Sequence, residues 1–477
     1  LSLIDNFKFI LPETILLLFA LGILIYSLFT KNRNFLGALA LTAIILASLC
    51  LPQARASHAG LFFNMLTDDA FSLFFKVVSL FVAGLIVLVS IGYKALPGEH
   101  AGEYYFLLLV ATIAMLLAVS SNNLLMIYIA LEMLSLVSYI LVGFFKKNNL
   151  SSEGALKYFL FGALSTGVML YGISLIYGLF GTTDLAIISQ ALIAGQTNIL
   201  VASVLLLLIL AGLCFKCGLV PFHMWVPDAY QGAPTAVTAF ISVGPKAVGF
   251  AVLLRIFTKN FFPLYANWAD IAMLISVFTM TIGNVIAIAQ TDIKRMLGYS
   301  SIAQAGYILI GAVVGTAFGM QGVLYYILAY VLMNLGAFGC VVLVSNSVGS
   351  DAIEDYAGLY KKDPATAFML SVFLLSLAGI PPLAGFFAKF LIFAAAIESR
   401  FIFLAIAGAV NSVIAVFYYV KVIKYMYLHE PKIKDMEKRS APLQIALAIA
   451  LVGVLVIGLF PDFFLNWIGS SQSFFSP

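Results

Sequence analysis

Five lysines stand inside apolar stretches of this chain: Lys76, Lys157, Lys216, Lys246 and Lys389. Two further titratable groups accompany them, Glu132 in LLMIYIALEMLSLVSY and His223 in GLVPFHMW, between Lys216 and Lys246. A lysine at bilayer depth costs roughly 2.5–3.5 kcal/mol on insertion scales, so it faces a partner or a wet cavity. No phosphate-binding loop, metal-ligand spacing or nucleophile constellation lies beside these residues. Acids and bases in such company can still take up protons and hand them on.

Each of them also has a structural reading. Glu132 shares a helix stripe with Tyr128, Ser135 and Tyr139. A carboxylate there must be protonated or paired, so a salt bridge locking two helices is the alternative to function. Lys157 follows Glu153 by one helical turn, which makes an ordinary i,i+4 pair near the membrane surface. Lys216 has no such partner nearby; it precedes Pro221, and carbonyls freed at that break are its expected neighbours. His223 is either a structural residue at a helix end or a relay group between two buried lysines. Lys246 directly follows Pro245, and Lys389 follows Pro381-Pro382, so both stand next to expected kinks. Lys76 is read as structural, reaching the outer surface by snorkelling. Arg255, Lys294 and Arg295 read as anchors flanking their segments.

The elements that must hold these groups are membrane helices. The chain of 477 residues is 63% hydrophobic and 10% charged, against about a quarter charged in soluble domains. The net charge of +4 gives no reason to expect a nucleic-acid partner. About fourteen apolar segments follow one another, roughly 7–29, 35–52, 70–92, 103–119, 122–144, 152–180, 198–219, 233–257, 264–290, 297–317, 319–345, 364–396, 400–427 and 442–468. The longest polar connections are 53–69, 181–197, 346–363 and 428–441. The first segment is long enough to stay as a helix, and no cleavable signal is evident; the start at Leu1 implies an initiator methionine lost or left out. Cys214 and Cys217 form a CxxC inside a segment, without a second pair, and read as core residues, as do Cys50 and Cys340.

Charge sets the expected orientation. Alternate connections collect fifteen basic residues on one side, among them Lys31, Arg33, Lys94, Lys146, Lys147, Lys434 and Lys438. The other side holds five: Lys8, Arg55, Arg255, Lys259 and Arg400. The positive-inside bias places both termini outside. A repeat is also visible, with Ala211-Gly212 in LILAGLCFKCGLVPFH echoing Ala378-Gly379 in LLSLAGIPPLAGFFAKF at an offset of 167. Five helices per copy is an odd number, so the copies cross the membrane in opposite senses, as in many transporters built round broken helices.

These runs resemble a known family, the antiporter-like proton-translocating subunits of complex I, and within it the N type. The resemblance covers about Glu103 to Tyr427 and is carried by LEMLSLVSY, EGALKYFLFGALSTGVMLYG, GLVPFHMWVPDAYQGAPTAVTAFISVGPKA, QTDIKRMLGYSSIAQAGY and LSLAGIPPLAGFFAKF. PDAYQGAPTAVTAF is the run that looks specific to the N type; Lys389 stands where the M type has glutamate. The chain also ends soon after its last segment, where the L type continues into a long lateral helix, and it has the three first helices absent from the animal mitochondrial counterpart. The resemblance implies a bacterial subunit in which Glu132 pairs with Lys216, Lys157 is the sixth-helix lysine, His223 and Lys246 are the central relay, and Lys389 ends it.

The expected fold is therefore all-α and membrane-integral, with two inverted five-helix repeats and discontinuous helices 7 and 12. Residues 1–102 would form three N-terminal helices, 103–257 the first repeat, 264–427 the second, and 428–477 a loop and last helix. The expected function is proton translocation in the bacterial plasma membrane, driven by NADH:quinone electron transfer elsewhere. NADH, FMN, iron–sulfur clusters and quinone are expected on other subunits, with the other antiporter-like subunits and lipid as partners and no cofactor on this chain. An Mrp-type cation/proton antiporter subunit and a non-pumping scaffold subunit are the alternatives.

Overall fold

The computed structural model describes residues 7–51, 61–195, 198–432, 436 and 439–472. Both termini, and Arg55, Lys434 and Lys438 from the charge count, lie outside these residues. Polar caps start helices where apolar runs begin. Asn32, Asp69, Asn123, Asn148, Asn198, Asp292, Thr316 and Asp363 each accept a backbone amide at the first turn of the helix they precede. These bonds satisfy amides that the helix's own ladder leaves without a partner.

The helices are α1 (Leu11–Tyr26), α2 (Arg33–Leu49), α3 (Ala70–Ile91), α4 (Ala101–Ser120), α5 (Leu124–Val142), α6 (Asn149–Phe180), α7 (Ile199–Cys217), α8 (Trp225–Gly232), α9 (Thr235–Leu253), α10 (Tyr265–Ile288), α11 (Ile293–Val314), α12 (Ala317–Val348), α13 (Pro364–Ala378), α14 (Ala384–Glu398), α15 (Ile402–Leu428), α16 (Ala441–Leu459) and α17 (Pro461–Gln472). Eleven helical stretches among the described residues are long and apolar enough to cross a membrane; α1, α2 and α13 are shorter apolar helices. Together these match the fourteen expected segments. The expected segment at 364–396 is two helices, α13 and α14, parted by a break; that at 442–468 ends at Leu459 because Pro461 opens a new helix, α17. The connection at 181–197 carries a short helix, Leu185–Ile193, on an Asp184 cap.

Helix α9 is the axis. With its continuation to Asn260 it is buried along its whole membrane window, and α11 and α12 are nearly so, whereas α6, α10, α15 and α16 keep an outward face. A side chain on α9 therefore meets protein on every side. The continuation, Leu254–Asn260, widens to a π-helical turn in which the Phe261 amide donates to the Ile256 carbonyl.

Burial overturns four readings of basic residues. Lys76 does not snorkel: it is 4% exposed, and its Nζ lies 2.9 Å from Glu13 Oε1 across α1 and α3. Arg255 is not a flanking anchor; it clamps Asp69 with Nη1 and Nη2 at 2.8 and 3.1 Å and donates to the Val119 carbonyl at 3.1 Å. Asp69 also caps α3 through Ser72, so one carboxylate ties the start of α3 to the end of α9. Lys294 is buried between the Ala233 carbonyl at 2.9 Å and Asp351 at 3.3 Å. Arg295 is half-buried against Asp228. Each partner is far away in sequence, which is why composition and spacing missed it.

Removing one member of a buried ion pair leaves the other charge stranded, at a cost of roughly 3–5 kcal/mol. Arg255→Met is expected to lower strongly the heat stability of the detergent-extracted protein. Asp69→Leu with Arg255→Met should recover part of the loss, because neither member of the pair then strands the other. A single variant as heat-stable as the parent would show that the pair is no clamp.

Candidate functional site

Two breaks organise the interior. Helix α7 ends at Gly218 with φ +70°, and α13 ends at Gly379 with φ +90°. Glycine holds these left-handed ends at little steric cost. Each is followed three residues later by a proline in a cis peptide, Val220–Pro221 and Pro381–Pro382. The two breaks correspond at an offset of 161, from 218 to 379, which replaces the offset of 167 expected from the Ala-Gly echo. The short echo matched Gly212, which packs against Met169, with the cap Gly379, whereas Gly218 and Gly379 both mark where the chain turns.

The missing side chains matter. A Cβ on Gly218 would lie 3.4 Å from Lys246 Nζ, and one on Gly379 would lie 2.9 Å from Lys389 Cδ. Each break is thus covered by a lysine. The sequence echo had set Lys389 against Phe222, next to His223; the packing sets it against Lys246 instead.

Lys216 occupies the last turn of α7, is 3% exposed, and donates to the Leu131 carbonyl on α5 at 3.1 Å. It stands next to Glu132 without forming an ion pair with it; Glu132 Oε2 is buried and has no hydrogen-bond partner. The helix below the pair is tightly built. Trp225 stacks on Tyr158 with centroids 3.9 Å apart, and its Nε1 donates to the Phe215 carbonyl at 3.2 Å. His223 sits in the break, buried, and its Nδ1 has no partner. Gly249 lets α9 press against α7 at Lys216 and Cys217.

Lys246 donates to the Ser301 carbonyl at 2.9 Å and to Ser301 Oγ at 2.8 Å, and Tyr230 OH lies 3.2 Å from the same Oγ. Lys246, Ser301 and Tyr330 also line a small cavity with room for about one water. The polar line then follows α11. One turn on, Gln304 donates to the Leu377 carbonyl at 3.0 Å and to Tyr419 OH at 3.3 Å, and accepts from Tyr326 OH. Next comes Tyr307, whose hydroxyl accepts from Asn284 at 3.0 Å and whose ring lies 4.6 Å from Lys389 Nζ. Lys389 donates to the Ala378 carbonyl at 2.9 Å, beside the carbonyl that Gln304 holds. From Ser301 to Tyr307 is about 9 Å along the axis.

Sequence reading missed this stripe. Ser301, Gln304 and Tyr307 recur at i, i+3 and i+6 within QTDIKRMLGYSSIAQAGY, which is a helix-face signal. It was overlooked because uncharged polar residues carry no insertion cost large enough to stand out. Lys157 lies apart from this interior. It is partly exposed and bonds Glu153 Oε1 and Asp228 Oδ2, each at 2.7 Å; Asp228 in turn holds Arg295, which bonds Gln231 at 3.0 Å. The i,i+4 pair is thus present, inside a larger network in which Asp228 is a member the sequence did not flag. Among the described residues no group of three or more His, Cys, Asp or Glu side chains gathers as metal ligands would.

Residues 121–415, which contain all six candidate residues, match the family described as NADH:quinone oxidoreductase/Mrp antiporter, TM. NADH-quinone oxidoreductase subunit N of Trichlorobacter lovleyi is 41% identical over 470 residues, covering 97% of this chain and 96% of the relative. NADH-quinone oxidoreductase subunit N 2 of Rhizobium meliloti is 43% identical over 465 residues, covering 95% of each. In the solved structure of respiratory complex I from Thermus thermophilus with bound aureothin, one chain is similar at 31% identity and a TM-score of 0.80, covering 96% of this chain and 99% of that one.

The glycine caps give a direct test. A side chain held at left-handed φ costs about 1–2 kcal/mol. Gly379→Ala also pushes on the Lys389 stem, while Gly218→Ala meets its nearest atom, Val226 Cγ2, at 3.1 Å. Both should lower the thermal midpoint in detergent, Gly379→Ala more. Midpoints equal to the parent's would mean that the breaks are not held in this form.

Proposed function

Because the chain belongs to the NADH:quinone oxidoreductase/Mrp antiporter transmembrane family, we propose that it is a proton-translocating membrane subunit of a respiratory complex I. The near-full-length relatives at 41% and 43% identity bear quinone oxidoreductase names, which favours this over the antiporter branch. Its partners are then the other membrane subunits, including further antiporter-like ones. Electron transfer from NADH to quinone, with its flavin and iron–sulfur centres, belongs to other chains, and this one moves protons without redox chemistry of its own.

The observation that carries the relay is the polar line from Lys246 through Ser301, Gln304 and Tyr307 to Lys389. Lys216 enters it from the Glu132 side, with His223 in the break between. None of these lysines is locked to a carboxylate; each ammonium rests on a backbone carbonyl. In the proposed cycle Glu132 swings towards Lys216 and away again, so that Lys216 alternately holds and releases a proton. The proton passes by His223 to Lys246 and along α11 to Lys389, with water bridging where side chains do not touch. Lys157, with Asp228 and Arg295, stands at the edge of this route, where its partial exposure suits contact with bulk water or a neighbouring subunit.

The domain reading is proposed with it: three N-terminal helices in residues 1–102, inverted repeats at 103–257 and 264–427, and a last unit at 428–477. The parallel glycine–proline breaks support the repeat. The basic bias of alternate connections supports both termini on the outer face of a bacterial plasma membrane.

Lys246→Met and Gln304→Leu test the route in the assembled complex. Both should lower quinone-linked NADH oxidation and proton uptake together, Lys246→Met by roughly a hundredfold if it is an obligate proton carrier. NADH oxidation with a hydrophilic artificial acceptor should persist, and the complex should run at full size on a native gel. Loss of assembly would favour a scaffold role. Full pumping in both variants would sink the relay.

A further inference from the structure

The lysines at the two ends of the α11 line are held differently. Among the described residues Lys246 makes two hydrogen bonds, to the Ser301 carbonyl and Oγ, whereas Lys389 makes one, to the Ala378 carbonyl. What Lys389 has instead is a ring. Its Nζ lies 4.6 Å from the Tyr307 centroid, against 5.9 Å from Lys246 to Tyr230 and 5.5 Å from Lys216 to Phe215. The negative face of an aromatic ring attracts a cation, most strongly where water is absent. The attraction weakens with distance, so the place of the Tyr307 ring decides how well Lys389 carries a charge.

That ring is anchored at its far end by a side chain outside the line. Asn284, on α10 and completely buried, donates through Nδ2 to Tyr307 OH at 3.0 Å, and its Oδ1 accepts from Tyr418 OH on α15 at 2.9 Å. The same Nδ2 reaches the Asn411 carbonyl at 3.2 Å and Asn411 Oδ1 at 3.3 Å. Asn411 is held in turn, donating to Thr281 Oγ1 at 3.2 Å and to the Ala407 carbonyl at 3.0 Å. Because Tyr307 OH accepts from Asn284, its own proton is left for Ser412 Oγ, which is buried and has no other partner. Turning the Asn284 amide would leave buried polar atoms unpaired, which costs more than one hydrogen bond gives. Three helices thus meet at one amide with both ends engaged. Such a group is a poor proton carrier and a good fixed point.

We propose that Asn284 is a positioning residue for Lys389 and acts through Tyr307, holding the phenol so that its ring faces the ammonium. This role rests on the relay proposed above, in which Lys389 receives its proton by way of Lys246. Lys246 already offers the proton two oxygen ligands. Lys389 matches it with one carbonyl and the ring face. A ring free to drift from Lys389 would leave the proton on Lys246 and slow the last transfer.

The test uses the assembled complex in liposomes and reads NADH-driven proton uptake. Asn284→Leu removes both polar ends and keeps the branched shape, while Tyr307→Phe removes the hydroxyl and keeps the ring face. Each should slow uptake several-fold, with the KM for quinone unchanged and the complex at full size on a native gel. The double variant should be no slower than the slower single, because both cut the same tie. Tyr307→Leu, which removes the ring face itself, should cost about tenfold. Tyr418→Phe loosens Asn284 by one hydroxyl and takes the place of Asn284→Leu if that chain does not assemble; its loss should likewise vanish in the Tyr307→Phe background. Losses that multiply would make Asn284 a staple between α10 and α15 and overturn the proposal. So would uptake at the parent's rate in Tyr307→Phe, or Tyr307→Leu no slower than Tyr307→Phe. Lys389→Met separates the two levels. If it abolishes uptake while the Asn284 and Tyr418 variants keep the parent's rate, the positioning role falls and the relay stands; full uptake in Lys389→Met removes both.

Discussion

Inside a bilayer no solvent is available to a charge, so every interior cation of this chain has to find its counterpart in the protein. The way that requirement is met divides the cations into two kinds. Lys76, Arg255 and Lys294 each reach a carboxylate, on Glu13, Asp69 and Asp351. Lys216, Lys246 and Lys389 instead rest on backbone carbonyls, of Leu131, Ser301 and Ala378. An ion pair holds its proton firmly and fastens two helices together. A carbonyl stabilises an ammonium less and keeps no charge of its own when the proton leaves. The first kind suits a clamp and the second a carrier.

A broken helix supplies the carbonyl for Lys389, because a helix end leaves its last carbonyls without a partner in its own ladder, whereas Lys216 and Lys246 share carbonyls inside α5 and α11. Ending α13 at Gly379 frees the carbonyl of Ala378, and Lys389 takes it. Lys246 differs: its ammonium lies against the end of α7 at Gly218 but takes its carbonyl from α11. At Gly379 glycine and lysine therefore have to be read as one device, with the backbone turn giving the cation both room and ligand.

The sequence made a good part of this legible. Segments of about 20 apolar residues, polar caps and prolines are local signals, and they located the helices and both breaks. The insertion cost of lysine singled out the interior bases. What failed was everything that depends on a partner distant in sequence. Lys76 and Lys389 look alike as lysines in apolar runs, yet one is paired across helices and the other is not. Nothing within a helical turn of Lys76 reveals Glu13, more than sixty residues earlier. The Ser301–Gln304–Tyr307 stripe had a readable period but weak polarity, and the 167 offset matched Gly212, which packs against Met169, with Gly379, which is the turn itself.

The position of α9 explains why the line runs sideways rather than straight across. Buried throughout, α9 gives Lys246 no lipid face and no direct opening to either surface. Towards its far end the next charged groups on the helix are Arg255, clamped to Asp69, and beyond it Lys259. A proton on Lys246 that moved that way would meet an apolar stretch and then a guanidinium that is already spent on a carboxylate and does not give up its own proton. Along α11 it meets hydroxyls and an amide at successive turns, each able to donate and accept. Hydrogen-bonding capacity thus points from Lys246 across the helix bundle towards Lys389, while the Asp69–Arg255 clamp that fastens α3 to α9 offers no proton carrier on the other side.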